Sequence, residues 1–153
     1  MNAAAQYEGD KILAELPDRI SDVIKPFARQ SPEHPALVQG DVTWTYAELA
    51  AVVADTALIL NFYDIRPGDR VMIVSENSLA LVALILAASE IDAWSVVVNP
   101  RLSAREADLI REHSGASVFF IRSRYPMLRA SMQSGTTPTL PCCVGGERSA
   151  SGR

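Results

Sequence analysis

The spacing of apolar residues changes several times along this chain, and each change marks an element. Leu13, Leu16, Ile20, Val23 and Phe27 recur at helical intervals and predict a helix over 11–29. Pro17 suits its first turn, whereas Pro26 inside the pattern predicts a kink or an end. Ser31-Pro32-Glu33-His34-Pro35 reads as a loop. Ala36-Leu37-Val38 and Val42-Thr43-Trp44 flank Gln39-Gly40-Asp41, a hairpin signature with Gly40 supplying a permissive turn. Thr45 and Glu48 form a capping box, and the helix that follows carries Leu49, Val53, Ala57 and Leu60 on one face.

The pattern then turns to short, continuous apolar runs. Pro67-Gly68 leads into Val71-Met72-Ile73-Val74, a strand expected to be covered on both faces. Leu79 to Ala88 reads as a helix and Trp94 to Val98 as a second buried strand. Ser103 and Glu106 cap a further helix that ends near Gly115, and Val118 to Ile121 forms a third strand. Strand, helix, strand, helix, strand gives two successive βαβ units. The expected fold is α/β: an open, mostly parallel, three-layer sheet with a small N-terminal β-hairpin. The expected organisation is an N-terminal helical segment and loop over 1–35, an α/β subdomain over 36–121, and a poorly ordered tail over 122–153. That tail is rich in Ser, Gly, Thr, Pro and Arg and lacks periodic apolar positions.

Composition narrows the function classes. A length of 153 residues suits one domain, and a net charge of -4 argues against a nucleic-acid footprint. The N-terminus lacks the basic-then-apolar order of a signal peptide, and the longest apolar run is about half the roughly 20 residues a membrane helix needs. Cys142 and Cys143 are adjacent, a spacing that suits neither a disulfide with each other nor a zinc site. The expectation is a cytoplasmic protein with no bound metal, no membrane span and no nucleic-acid partner.

Three stretches could carry chemistry. Asn99 and Arg101 follow a strand, and ligands of open α/β sheets bind beyond the carboxyl ends of strands. The plainer alternative is a strand-to-helix connection with Pro100 fixing the turn and Arg101 solvated. Ser75, Glu76, Asn77 and Ser78 precede a helix without a glycine-rich loop, so Asn77 or Ser78 reads as a helix cap. Ser134-Gly135-Thr136-Thr137 offers hydroxyls and backbone amides of the kind that wrap phosphates. His34 and His113 have no acid and nucleophile pattern near them, and His113 suits the last turn of a helix.

In order along the chain, Thr45-Tyr46-Ala47-Glu48-Leu49, Arg66-Pro67-Gly68-Asp69-Arg70-Val71, Glu76-Asn77-Ser78 and Asn99-Pro100-Arg101 resemble landmarks of the adenylate-forming enzymes, the acyl-CoA synthetases among them. The resemblance covers about Leu37 to Ile121. It implies the opening segment of a ligase that joins a carboxylic acid to CoA through an acyl-adenylate, with ATP, Mg and CoA as the cofactors of full-length relatives. It also implies that Ser134, Gly135, Thr136 and Thr137 match the core of the family's phosphate loop. There Pro138 replaces the usual Gly, and no lysine occurs after Lys25. Asp64 and Asp92 stand where the family commonly has Gly, which predicts strained corners.

The family's later motifs are not among these residues. The expectation is therefore a truncated, acyl-CoA synthetase-like N-terminal fragment with no catalytic residue, no cofactor of its own and no independent catalysis. The abrupt end of the resemblance near Ile121 is the pattern a frameshift produces. Expected partners are the missing remainder of the ligase, or self-association through exposed apolar surface. The alternative reading is a non-catalytic docking module or the N-terminal half of a split ligase.

Overall fold

A computed structural model describes residues 16–120 together with Lys11 and Ala14, giving the backbone alone for 117–120. Ile20–Ile24 form a 3-10 turn that runs into helix α1 (Lys25–Gln30). Pro26 sits in the first turn of α1. The single helix expected over 11–29 is corrected: 16–19, Pro17 among them, are not helical, and 20–24 form the 3-10 turn. Pro26 lies at the start of α1 rather than kinking or ending a helix, because its missing N–H falls where a helix N-terminus leaves donors unpaired anyway. Strands β1 (Pro35–Gln39) and β2 (Val42–Thr45) pair antiparallel, with Gly40 at a φ of 56° in the turn. Thr45 then caps α2 (Tyr46–Phe62): its hydroxyl accepts from Glu48 N at 3.2 Å while Thr45 N donates to the Glu48 carboxylate at 2.8 Å. Phe27 stacks on Tyr46 with ring centroids 5.1 Å apart, tying α1 to the start of α2.

The main sheet has the order β4-β3-β5, formed by β3 (Arg70–Val74), β4 (Trp94–Val98) and β5 (Ser117–Phe120), and both pairings are parallel. Helices α3 (Leu79–Glu90) and α4 (Ala104–Ser114) are the crossovers. The second crossover carries the chain from one edge of the sheet over β3 to the other. Val71 and Ile73 face α2 and α3, where Leu49, Val53, Leu60, Leu81, Leu84 and Ala87 complete the larger core. Met72 and Val98 face the opposite side, covered by Ala107 and Ile110 of α4. Helix, sheet and helix make the expected three layers.

Strand β4 departs from expectation. It was expected to be buried, yet Trp94 is 68% and Val97 48% exposed, because among the described residues the strand order leaves β4 at an edge. No helix among the described residues is long and apolar enough to cross a membrane.

The two corners expected to be strained are so. Asp64 has a φ of 60° and Asp92 a φ of 58°. Each carboxylate is paired: Asp64 with Arg66 at 2.9 Å, and Asp92 with Arg19 at 2.7 Å. Arg19 holds the Asp92 carboxyl below the usual carboxylate range, and Lys25 does the same for Asp22. Lys25 in turn is pushed up by Asp22 and Glu90.

Candidate active-site edge

The carboxyl ends of β3 and β4 lie side by side, so the loops that leave them meet. Ser75 N donates to Val98 O at 3.3 Å, extending the ladder one residue past β3. Ser78 caps α3, accepting from Leu81 N at 3.2 Å, which resolves the choice between Asn77 and Ser78. The first amide of α3, Leu79 N, donates to Gln39 Oε1 at 3.0 Å. The hairpin thereby completes the cap of a helix 40 residues downstream. Nothing local marks Gln39 for this role, because the partner is distant in sequence.

Across the edge, Asn99 Oδ1 accepts from Arg101 N at 2.9 Å, and Leu102 N donates to Asn99 O at 3.2 Å. This side-chain turn explains the Asn-Pro-Arg sequence: Asn99 closes the turn and Pro100 presets its backbone. Ser103 then caps α4 in a second capping box, with its hydroxyl and its amide both donating to Glu106 at 2.7 and 2.9 Å. Those bonds to the ionised carboxylate hold Glu106 below the usual range, the Ser103 hydroxyl foremost. Gly115 ends α4 in the left-handed conformation at a φ of 64°, as the sequence predicts.

Arg101 approaches Glu76 at 3.5 Å, and both side chains are largely exposed. So long and solvated a pair fixes neither side chain. The structure therefore brings Asn99, Arg101, Ser75 and Glu76 to one sheet edge but leaves the Arg101 guanidinium in solvent. His34 lies in the loop before β1, where His34 N donates to Ser31 O at 3.1 Å. His113 occupies the last turn of α4. No group of three His, Cys, Asp or Glu residues among the described residues could hold a metal. Ser134, Gly135, Thr136 and Thr137 lie outside the described residues. What remains at the edge, among the described residues, is a pair of pinned loops with hydroxyls, carboxamides and the exposed Arg101–Glu76 pair. Such an edge can line a ligand cleft, and among the described residues it brings no nucleophile and base into contact.

This chain matches the model of the AMP-binding enzyme family over residues 24–150. The match continues past Ile121, where the motif resemblance stops, and its span takes in Ser134 to Thr137. Feruloyl-CoA synthase of Amycolatopsis sp is 34% identical over 114 residues, covering 74% of this chain and 23% of that protein. The 3-hydroxybenzoate–CoA ligase of Aromatoleum sp (strain CIB) is 31% identical over 103 residues, covering 67% of this chain and 20% of its own length. Among solved structures, the N-terminal domain of FACL13 from Mycobacterium tuberculosis superposes with a TM-score of 0.66 at 30% identity, covering 80% of this chain and 32% of that one. The chain thus spans a fifth to a third of the length of each of these relatives. The match over most of its length, the parallel sheet and the ordered motifs agree: the chain belongs to the AMP-binding enzyme family, as an acyl-CoA ligase-like N-terminal unit.

Proposed function

We propose that these residues are the N-terminal building unit of an acid–CoA ligase and have no independent catalysis. In the complete reaction a carboxylate oxygen attacks the α-phosphorus of ATP and pyrophosphate leaves. The thiol of CoA then attacks the acyl carbon and AMP leaves. The family match over residues 24–150, with CoA ligases as the relatives, carries this reading. Within it, 1–35 are an N-terminal helical segment and loop, 36–121 the α/β subdomain, and 122–153 the tail.

Ser134, Gly135, Thr136 and Thr137 supply part of a phosphate loop in this reading, with hydroxyls and amides for oxygens of ATP. Pro138 and the lack of any lysine beyond Lys25 leave that loop without its cation. Stabilising charge on a transferring phosphoryl group is usually the largest catalytic term, and the described residues offer only Arg101 at the sheet edge. A cytoplasmic location fits a chain whose two cysteines, Cys142 and Cys143, are adjacent, a spacing that does not suit a disulfide between them.

The test is acid-dependent exchange of labelled pyrophosphate into ATP by the purified 153-residue chain, over a panel of aromatic and aliphatic carboxylates. The expected result is no exchange above the blank, and robust exchange overturns the reading. Co-expression with the segment encoded downstream separates the alternatives: restored exchange marks a split ligase. Reading the nucleotides after the Ile121 codon in all three frames decides whether the tail is in frame, which the match through residue 150 favours.

A further inference from the structure

We propose that residues 16–24 form a charge-latched strap, closed on the α/β unit by the Arg19–Asp92 pair across a left-handed corner. Arg19 donates from Nε and from a terminal nitrogen to the two carboxylate oxygens of Asp92, each at 2.7 Å. This two-pronged geometry is the strong form of the contact. Beside it, Lys25 Nζ lies 2.7 Å from Asp22 and 3.0 Å from Glu90. Ser21 N donates to Ser89 Oγ at 3.2 Å. These polar links among the described residues all land on one corner, the end of α3 and the turn before β4. Unpaired carbonyls at the end of a helix also favour the nearby cations.

Apolar burial does little of this work. Leu16, Ile20 and Val23 are 58%, 64% and 51% exposed. Only Ser21 is buried, and Ile24 is the one apolar strap residue packed against the core. Ser21 is 1% exposed, and its Oγ is buried without a partner among the described residues, so this seat costs a hydroxyl its hydrogen bond. Leu16, Ile20 and Val23 turn outward while Ser21 and Ile24 turn inward, so apolar contact is confined to Ile24. Charge is what remains to close it.

Asp92 carries two opposed effects. At a φ of 58° a glycine would be unstrained, whereas an aspartate is disfavoured. Its carboxylate holds Arg19. Replacement by glycine removes both effects at once, so stability of the unit and closure of the strap should move in opposite directions. A residue that served fold stability alone would lower both.

Hydrogen exchange of the whole chain at low and high salt tests this. In the parent chain, peptides covering 16–24 should exchange roughly two- to fivefold faster in high salt, as for a partly exposed ion pair, while peptides covering β3 stay unchanged. In Asp92→Gly the strap should exchange fast at both salt concentrations, with a thermal midpoint equal to or above the parent's. Arg19→Met breaks the latch without touching the corner, should give the same strap exchange, and serves if the glycine variant fails to fold. Unchanged strap protection in either variant overturns the proposal. So does a joint loss of protection in the strap and β3.

Discussion

Strands β3 and β4 have the same kind of sequence and opposite surroundings. Both are short, continuous apolar runs, and they pair in register with Ile73 beside Val97. Residues opposite one another in a parallel pair share a face of the sheet, yet Ile73 is fully buried and Val97 is half-exposed. The difference lies in strand order. Among the described residues, β3 has a strand on each side and helices above and below, whereas β4 has one neighbour. The second crossover returns over β3 to add β5 on the far side, so both helical layers centre on β3. An apolar run therefore reports that a strand is suited to burial, and the path of the chain decides how much of it is buried within this unit.

The largest expected effect tests that contrast directly. Ile73→Ala should destabilise the chain by about 2–5 kcal/mol, the usual cost of emptying a fully packed site. Val97→Ala should change stability by about 0.5 kcal/mol or less, as at surface positions. Urea unfolding followed by circular dichroism measures both. Equal losses would mean that β4 is covered in solution, which would fit self-association through the β4 edge. Repeating the Val97 measurement over a range of protein concentrations would then reveal the association.

Much of the fold was legible because the signals were local. The two capping boxes at Thr45 and Ser103, the Gly115 cap and the Gly40 turn each combine residues within four positions of one another. All four occur as predicted. The left-handed corners at Asp64 and Asp92 were legible from the resemblance, since an aspartate in a glycine position inherits its backbone. What was not legible depends on distance. Pro26 starts a helix because the preceding residues tighten into a 3-10 turn, and helical spacing alone does not distinguish the two. Gln39 completes the cap of α3, Arg19 reaches Asp92, and β4 lies at an edge, each through contacts across 40 or more residues or through strand order. At the candidate edge, the sequence supplied Asn99 and Arg101, and the structure adds that Asn99 serves the turn while Arg101 stays in solvent.

A second pair of variants extends the comparison to the helices on the two faces. α2 buries Leu49, Val52, Val53, Thr56, Ala57 and Leu60, while α4 has no fully buried residue. Both begin with the same capping box. Thr45→Ala should cost about 1 kcal/mol of global stability, because unwinding the first turn of α2 loosens the larger core. Ser103→Ala should be felt within α4, as faster amide exchange at 104–107, with a smaller change in the unfolding midpoint. A larger midpoint change for Ser103→Ala would show that α4 anchors its face more firmly than its exposure implies.

The smallest effect is a pH dependence confined to α4. Glu106 sits below its ordinary carboxylate range because the Ser103 hydroxyl and amide donate to its ionised form. A carboxyl whose folded pKa is lowered adds stability that is complete above its unfolded pKa, near 4.3. That contribution fades as pH falls through the folded value. The start of α4 should thus hold from neutral pH to about pH 5 and loosen below it, ahead of the core. Among the described residues, Asp22 and Asp92 are also held low, by Lys25 and Arg19, so their acid response must be separated from that of α4. Glu106→Gln provides the separation. The glutamine can still receive the Ser103 hydrogen bonds but does not titrate, so exchange at 104–107 should lose its acid step while residues 16–24 keep theirs. If the acid step at 104–107 persists in Glu106→Gln, its origin is outside the capping box, and the thinner face of the sheet is loosened by another group.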